Sequence, residues 1–129
     1  MQSRHISRVV RRPVAEVYDF VADPANLPRW AAGLTQGEAR MRGDALVADS
    51  PMGEVVVRFV PRNDFGVADH DVTLPSGETV NNPFRVLAHP DGAEVLFTVR
   101  QLAMGDEEFE RDCRLVAADL DRLAALLEG

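Results

Sequence analysis

One histidine in this chain stands between two carboxylates, in the run Asp69-His70-Asp71. An imidazole with an ordinary pKa of about 6.5 suits a general acid or base, so His70 is the histidine to consider for proton chemistry. The surrounding pattern predicts a β-strand, in which successive side chains point to opposite faces. Asp69 and Asp71 then share the face away from His70 and cannot orient its ring without a bulge. The run looks like a triad in sequence but not in space. Both aspartates are expected to be solvated, opposite Arg58. His5 falls on the first strand and His89 in a turn. No two histidines are spaced i, i+4 on a helix, and neither HExxH nor a Cys–His metal spacing occurs, so no metal is expected. Cys113 is the lone cysteine, which excludes an intrachain disulfide and a cysteine-rich zinc site. It is expected as a small buried hydrophobe; its one route to reactivity is an approach by His70 across a cavity. All 14 basic residues are arginine, which excludes a Schiff-base lysine and a P-loop lysine. There is no GxGxxG, and no cofactor is expected.

The elements that must position these groups follow from periodicity. A first strand is expected over Arg4–Val10. Val14, Val17, Tyr18 and Val21 lie at i, i+3, i+4 and i+7, one face of a helix that Pro13 can open. Asp23-Pro24 stops it and caps a second short helical unit, whose face is Leu27, Trp30, Ala31 and Leu34 and which Pro28 keeps short. Alternating segments separated by turn residues then predict strands at 37–42, 45–49, 54–60, 67–74, 78–88 and 94–102. That makes seven strands, six in a consecutive antiparallel meander. A long amphipathic helix closes the chain from Asp106, its expected N-cap, to Leu127. Phe109, Cys113, Val116, Leu120, Leu123 and Leu127 form its apolar stripe.

Strand alternation assigns an inward face of Val55, Val57, Phe59, Ala68, Val72, Val80, Phe84, Val86, Val95, Phe97 and Val99. Three polar residues intrude on it: His70, Asn82 and Gln101. Ligand pockets have this composition, apolar walls with a few convergent polar groups. A bulge near Asn81-Asn82-Pro83 would reverse the parity there.

A chain of 129 residues has room for one domain with a real core, and residues 1–129 are read as a single domain. No apolar run reaches the roughly 18 residues of a membrane span. The charged N-terminal residues do not fit a secretory leader, so a cytoplasmic location is expected. The formal charge of −7 makes the chain a poor general binder of nucleic acid. Arg4, Arg8, Arg11 and Arg12 are read as solvated strand-edge charges. Outward Leu87 and Leu96 would permit a homodimer.

The order of elements along the chain, and a motif in its N-terminal fifth or so, add a resemblance. A strand, a helix opening at Pro13 and carrying Tyr18 and Phe20, then Asp23-Pro24 and Leu27-Pro28-Arg29-Trp30, resembles the START-like (SRPBCC) superfamily, which includes polyketide cyclase/dehydrase-like and birch-pollen-allergen-like proteins. The resemblance implies an α+β helix-grip fold, with a seven-stranded curved antiparallel sheet, two short N-terminal helices and one long C-terminal helix. It also implies a cavity for a small lipophilic molecule between the sheet and the last helix. Tyr18, Trp30, His70, Asn82, Phe84, Phe97, Gln101, Phe109 and Cys113 are the candidate contacts. An enzyme of the cyclase or dehydratase kind, with His70 as acid/base and Asn82 or Gln101 polarising a carbonyl, is the alternative. Against it stands the lack of a carboxylate beside His70 on the inward face. A protein-interaction module of the same fold is the third reading, favoured if aromatic side chains fill the space between sheet and helix.

Overall fold

The computed structural model describes residues 1–32, 38–51 and 53–129. Leu34, the first residue of the expected 37–42 strand (Gly37) and the turn residue Met52 lie outside them. The order of elements is β1 (Ser3–Val10), α1 (Val14–Val21), a 3₁₀ turn (Pro24–Asn26), α2 (Leu27–Trp30), then β2 (Ala39–Arg42), β3 (Ala45–Ser50), β4 (Gly53–Phe59), β5 (His70–Thr73), β6 (Thr79–Asn82), β7 (Phe84–His89), β8 (Gly92–Arg100) and α3 (Asp106–Glu128). The strands form two antiparallel sheets, β1-β8-β7 and β2-β3-β4-β5-β6. Seven strands in one sheet were expected, so this count is corrected to eight strands in two sheets among the described residues.

Pro83 is the reason for the difference. The segment expected as one strand over 78–88 breaks there, because proline cannot donate to a ladder. On one side, His70 is in register with Asn82 in the five-stranded sheet. On the other, Phe84 is in register with Phe97 in the three-stranded sheet. The Pro83 carbonyl still accepts from Thr98 N at 3.0 Å. Burial keeps its alternation across the break, with Asn82 half-buried and Phe84 and Val86 buried, so no bulge reverses the parity.

The sheets are stitched together one residue pair further on. The expected 67–74 strand is regular only over β5, but Val67 makes an isolated bridge to Arg85. Ala68 N donates to Phe84 O and Val86 N donates to Gly66 O, both at 2.8 Å. The outward aspartate completes the joint: Asp69 Oδ1 accepts from Phe84 N at 2.7 Å, and its two oxygens take the Arg85 guanidinium at 2.9 Å each. Asp71 is opposite Arg58 in register and accepts from Asn81 Nδ2 at 2.8 Å. Both aspartates therefore face away from His70, as alternation requires.

The helices behave as their sequences suggest, with small shifts at their starts. Asp23 caps the 3₁₀ turn, accepting from Ala25 N at 3.0 Å. The N-cap of α3 is Gly105 rather than Asp106, and Asp106 Oδ1 instead accepts from Gln101 Nε2 at 2.8 Å. Along α3, Phe109, Cys113, Leu120 and Leu123 are buried in the common core with Val10, Val17, Phe84 and Val95. The N-terminal arginines hold α3 alongside β1. Arg4 grips Glu110 bidentately at 2.6 and 2.7 Å, Arg8 Nε donates to Asp121 at 3.0 Å, and Arg11 N donates to Glu128 at 2.9 Å. From Arg4 to Arg8 the strand rises about 13 Å, and from Glu110 to Asp121 the helix rises about 16 Å, so the two run parallel. The Arg4 and Arg8 side chains are thus paired rather than merely solvated, whereas Arg11 contributes its backbone N–H.

Candidate functional site

His70 enters the interior because β5 alternates. Its ring is stacked on Phe59, with centroids 4.7 Å apart, and meets the edges of Phe97 at 5.9 Å and Phe84 at 6.3 Å. Nδ1 lies 3.1 Å from the Ala68 carbonyl, which can only accept, so Nδ1 carries the proton and Nε2 is the basic nitrogen. Burial lowers the imidazole's pKa. The Ala68 carbonyl and the charges of Asp69 and Asp71 oppose the shift without reversing it. The ring is therefore neutral at neutral pH.

Trp30 reaches the same space from α2. It is 2% exposed, and its ring lies 5.5 Å from that of Phe84. Its Nε1 is buried and has no hydrogen-bond partner among the described residues. An unsatisfied buried donor costs on the order of 1–3 kcal/mol.

The third wall comes from α3. Asp112, Val116 and Asp119 fall at i, i+4 and i+7 and share one helix face. Asp119 Oδ1 accepts from Ala32 N at 3.1 Å and from Arg122 Nη1 at 3.0 Å; the same Arg122 nitrogen donates to Trp30 O at 2.8 Å. Burial raises the Asp119 pKa, its two donors pull it back, and the charge of Asp112 pushes it up again. Asp112 is half-buried, has no ion-pair or hydrogen-bond partner among the described residues, and has its pKa raised by burial.

These three walls enclose a cavity of about 210 Å³. Leu27, Ala31, Val72, Phe97 and Val116 supply apolar surface; Trp30, His70, Asn82, Asp112 and Asp119 supply polar groups. Four of the nine residues expected at a site, Trp30, His70, Asn82 and Phe97, are brought together here. Phe84 stands behind them, fully buried against Trp30, His70 and Phe97. The other four lie elsewhere. Gln101 lies one residue beyond the end of β8 and bonds to Gln2 and Asp106, so the expected strand alternation does not extend to it. Phe109 is buried under the Arg4 guanidinium, 5.2 Å from its centroid. Cys113 is buried beside Asp112 but faces the core, and burial pushes its thiol pKa up, so it is not a poised nucleophile. Tyr18 accepts from Asn63 N at 3.0 Å and borders a different concavity.

That second concavity is larger, about 690 Å³, and runs between α1, the 62–66 loop and β7. It is an open surface cleft whose polar groups are largely engaged: Arg62 pairs with Asp19 and lies over Tyr18, and Asn63 holds the loop through Pro61, Phe65 and Val67. The smaller cavity is the candidate site, because there polar groups from β5, β6 and α3 converge on apolar walls, and Asp112 has no partner among the described residues.

Asp112 and Asp119 were missed by reading the sequence. Each precedes by one residue a member of the apolar stripe, Cys113 and Leu120, and so reads as the solvated border of the helix. The signal was their shared spacing with Val116. Among the described residues no cluster of His, Cys, Asp and Glu is placed to hold a metal ion, and no helix is long and apolar enough to cross a membrane.

No protein-family model matches the chain, and no curated protein matches it. Solved structures do. Protein CV1439 from Chromobacterium violaceum is 15% identical, superposes with a TM-score of 0.71, and is matched over 100% of this chain and 99% of its own. A protein from Bacillus thuringiensis is 13% identical, with a TM-score of 0.74, over 99% of this chain and 100% of its own. DynU16, from the dynemicin biosynthetic locus, is 15% identical with a TM-score of 0.73; 99% of this chain matches 48% of that one, so this chain spans about half its length. At these identities the likeness is one of fold.

Proposed function

We propose that this chain is a START-like, helix-grip protein that binds a small lipophilic molecule in the cavity between the five-stranded sheet, α2 and α3. The observation that carries the reading is a cavity whose apolar walls, Leu27, Ala31, Val72, Phe97 and Val116, also receive His70, Asn82 and Asp112. Apolar walls would supply affinity at about 25 cal/mol per Å² buried, and the few polar groups would set orientation. At about 210 Å³ the space holds a compact molecule of about ten heavy atoms, since a 150 Å³ apolar cavity admits benzene. A long acyl chain does not fit. DynU16's place in a biosynthetic locus accords with a small-molecule role.

A cyclase- or dehydratase-like reaction is the second reading, and one observation favours it. The inward carboxylates that His70 lacks on its own strand are provided by α3, so a neutral imidazole and two carboxylates line one space. Neutral His70, with Nδ1 held by Ala68, presents Nε2 as a base. A protein-interaction role is less favoured, because the ring cluster leaves the cavity open.

Native mass spectrometry after incubation with a lipophilic extract of the source organism tests the binding reading. A discrete added mass, diminished in Asn82→Leu, is the expected result. A bare protein mass across extracts, with no change in thermal stability, would overturn it.

A further inference from the structure

Resting on the binding reading above, two side chains on one wall of the cavity specify the group it recognises. His70 and Asn82 lie directly opposite each other on β5 and β6, and both line the cavity. Side chains at such a pair of positions start from Cβ atoms about 4.5–5.5 Å apart, close enough to hold one ligand atom between them. His70 is 4% exposed. Its Nδ1 proton is committed to the Ala68 carbonyl, which leaves Nε2 with a lone pair and no proton. Burial favours that neutral form. Nε2 has no hydrogen-bond partner among the described residues, and it is not sealed off as Trp30 Nε1 is. It is therefore a nearly buried acceptor that opens into the cavity. The Asn82 amide is half-buried and likewise makes no hydrogen bond among the described residues. It offers the complementary donor, Nδ2. The wall thus presents one acceptor and one donor side by side, among the apolar surfaces of Leu27, Val72 and Phe97.

We propose that the cavity binds a compact neutral molecule through one hydroxyl, phenolic or alcoholic, whose O–H donates to His70 Nε2 and whose oxygen accepts from Asn82 Nδ2. A hydroxyl does both at a single atom. A carbonyl or an ether only accepts, and so sets its lone pairs against that of Nε2. A carboxylate does the same and adds a charge repelled by the carboxylates of α3 that share the cavity. A hydroxyl reproduces the two bonds a water would make there, so displacing solvent leaves neither side chain unsatisfied. The apolar body of the ligand then covers the aliphatic and aromatic walls.

Four probes of nearly equal size separate this from the parent reading. Para-cresol and its isomer benzyl alcohol carry the hydroxyl, benzaldehyde carries an acceptor alone, and para-xylene carries neither. Each is titrated by calorimetry and by the nitrogen NMR resonance of His70 Nε2, assigned by its loss in His70→Phe. The expected result is that at least one hydroxyl probe binds at least about threefold more tightly than para-xylene and benzaldehyde, and moves the Nε2 resonance towards that of a hydrogen-bonded ring nitrogen. The tighter of the two isomers tells a phenol from an alcohol. In Asn82→Leu, which leaves the histidine in place, the hydroxyl probes fall to the affinity of para-xylene while para-xylene binds no worse. Binding of para-xylene as tight as that of both hydroxyl probes, with Nε2 unmoved, would overturn the hydroxyl assignment and leave the binding reading standing. No binding of any probe at millimolar concentration would also overturn the assignment; joined to a bare protein mass across extracts, it would overturn both.

Discussion

At the scale of single residues, His70 ties the interior to pH. Its folded pKa is lowered by burial, so as pH falls the unfolded chain takes up the proton first. The stabilisation is complete above the unfolded value of about 6.5 and is lost as pH drops from there towards the folded value. Urea midpoints measured between about pH 7.5 and 5.5 are expected to decline, and His70→Phe is expected to flatten that part of the curve. An unchanged slope in the variant would mean that another group carries the linkage. His70 was readable from the chain as an inward histidine, because strand parity is local. Asp112 and Asp119 were not, because a carboxylate one position off an apolar stripe faces water or a cavity depending on what the helix packs against.

At the scale of elements, the joint between the sheets is the vulnerable point. Gly66 has φ of +71°, and a Cβ there would lie 2.2 Å from the Val86 carbonyl oxygen, the atom of a neighbouring strand's backbone. It cannot move without breaking the Val67–Arg85 bridge. Gly66→Ala is expected to destabilise the protein by at least about 3 kcal/mol, combining left-handed strain with the clash. Gly77, with φ of +90° but nothing within 4 Å, is the control: its alanine variant is expected to cost about 1–2 kcal/mol. Equal losses in chemical denaturation would show that strain alone matters and that the joint tolerates displacement. The turn signal at Asn63-Asp64-Phe65-Gly66 was legible in the sequence. That Gly66 abuts a strand twenty residues further on was not, since this contact depends on how the sheets meet.

At the scale of the whole molecule, the two sheets, α1, α2 and α3 share one apolar core, and β6 runs directly into β7 through Pro83. Unfolding followed by Trp30 fluorescence, which reports on α2 and the cavity, is therefore expected to coincide with unfolding followed by far-ultraviolet circular dichroism. Separate midpoints would mean that the three- and five-stranded sheets fold as distinct units. The amino-acid order alone specified the succession of strands and helices, the inward parity of His70, Asn82, Phe84 and Phe97, and the long C-terminal helix with its stripe. Each of these rests on periodicity or turn chemistry within a few residues. The division into two sheets at Pro83, the pairing of Arg4 and Arg8 with α3, the exile of Gln101 and Cys113 from the site, and the arrival of Asp112 and Asp119 in it depended on packing. Those outcomes join residues up to 113 positions apart, as Arg8 and Asp121 are, and no local pattern records which distant surface a side chain will meet.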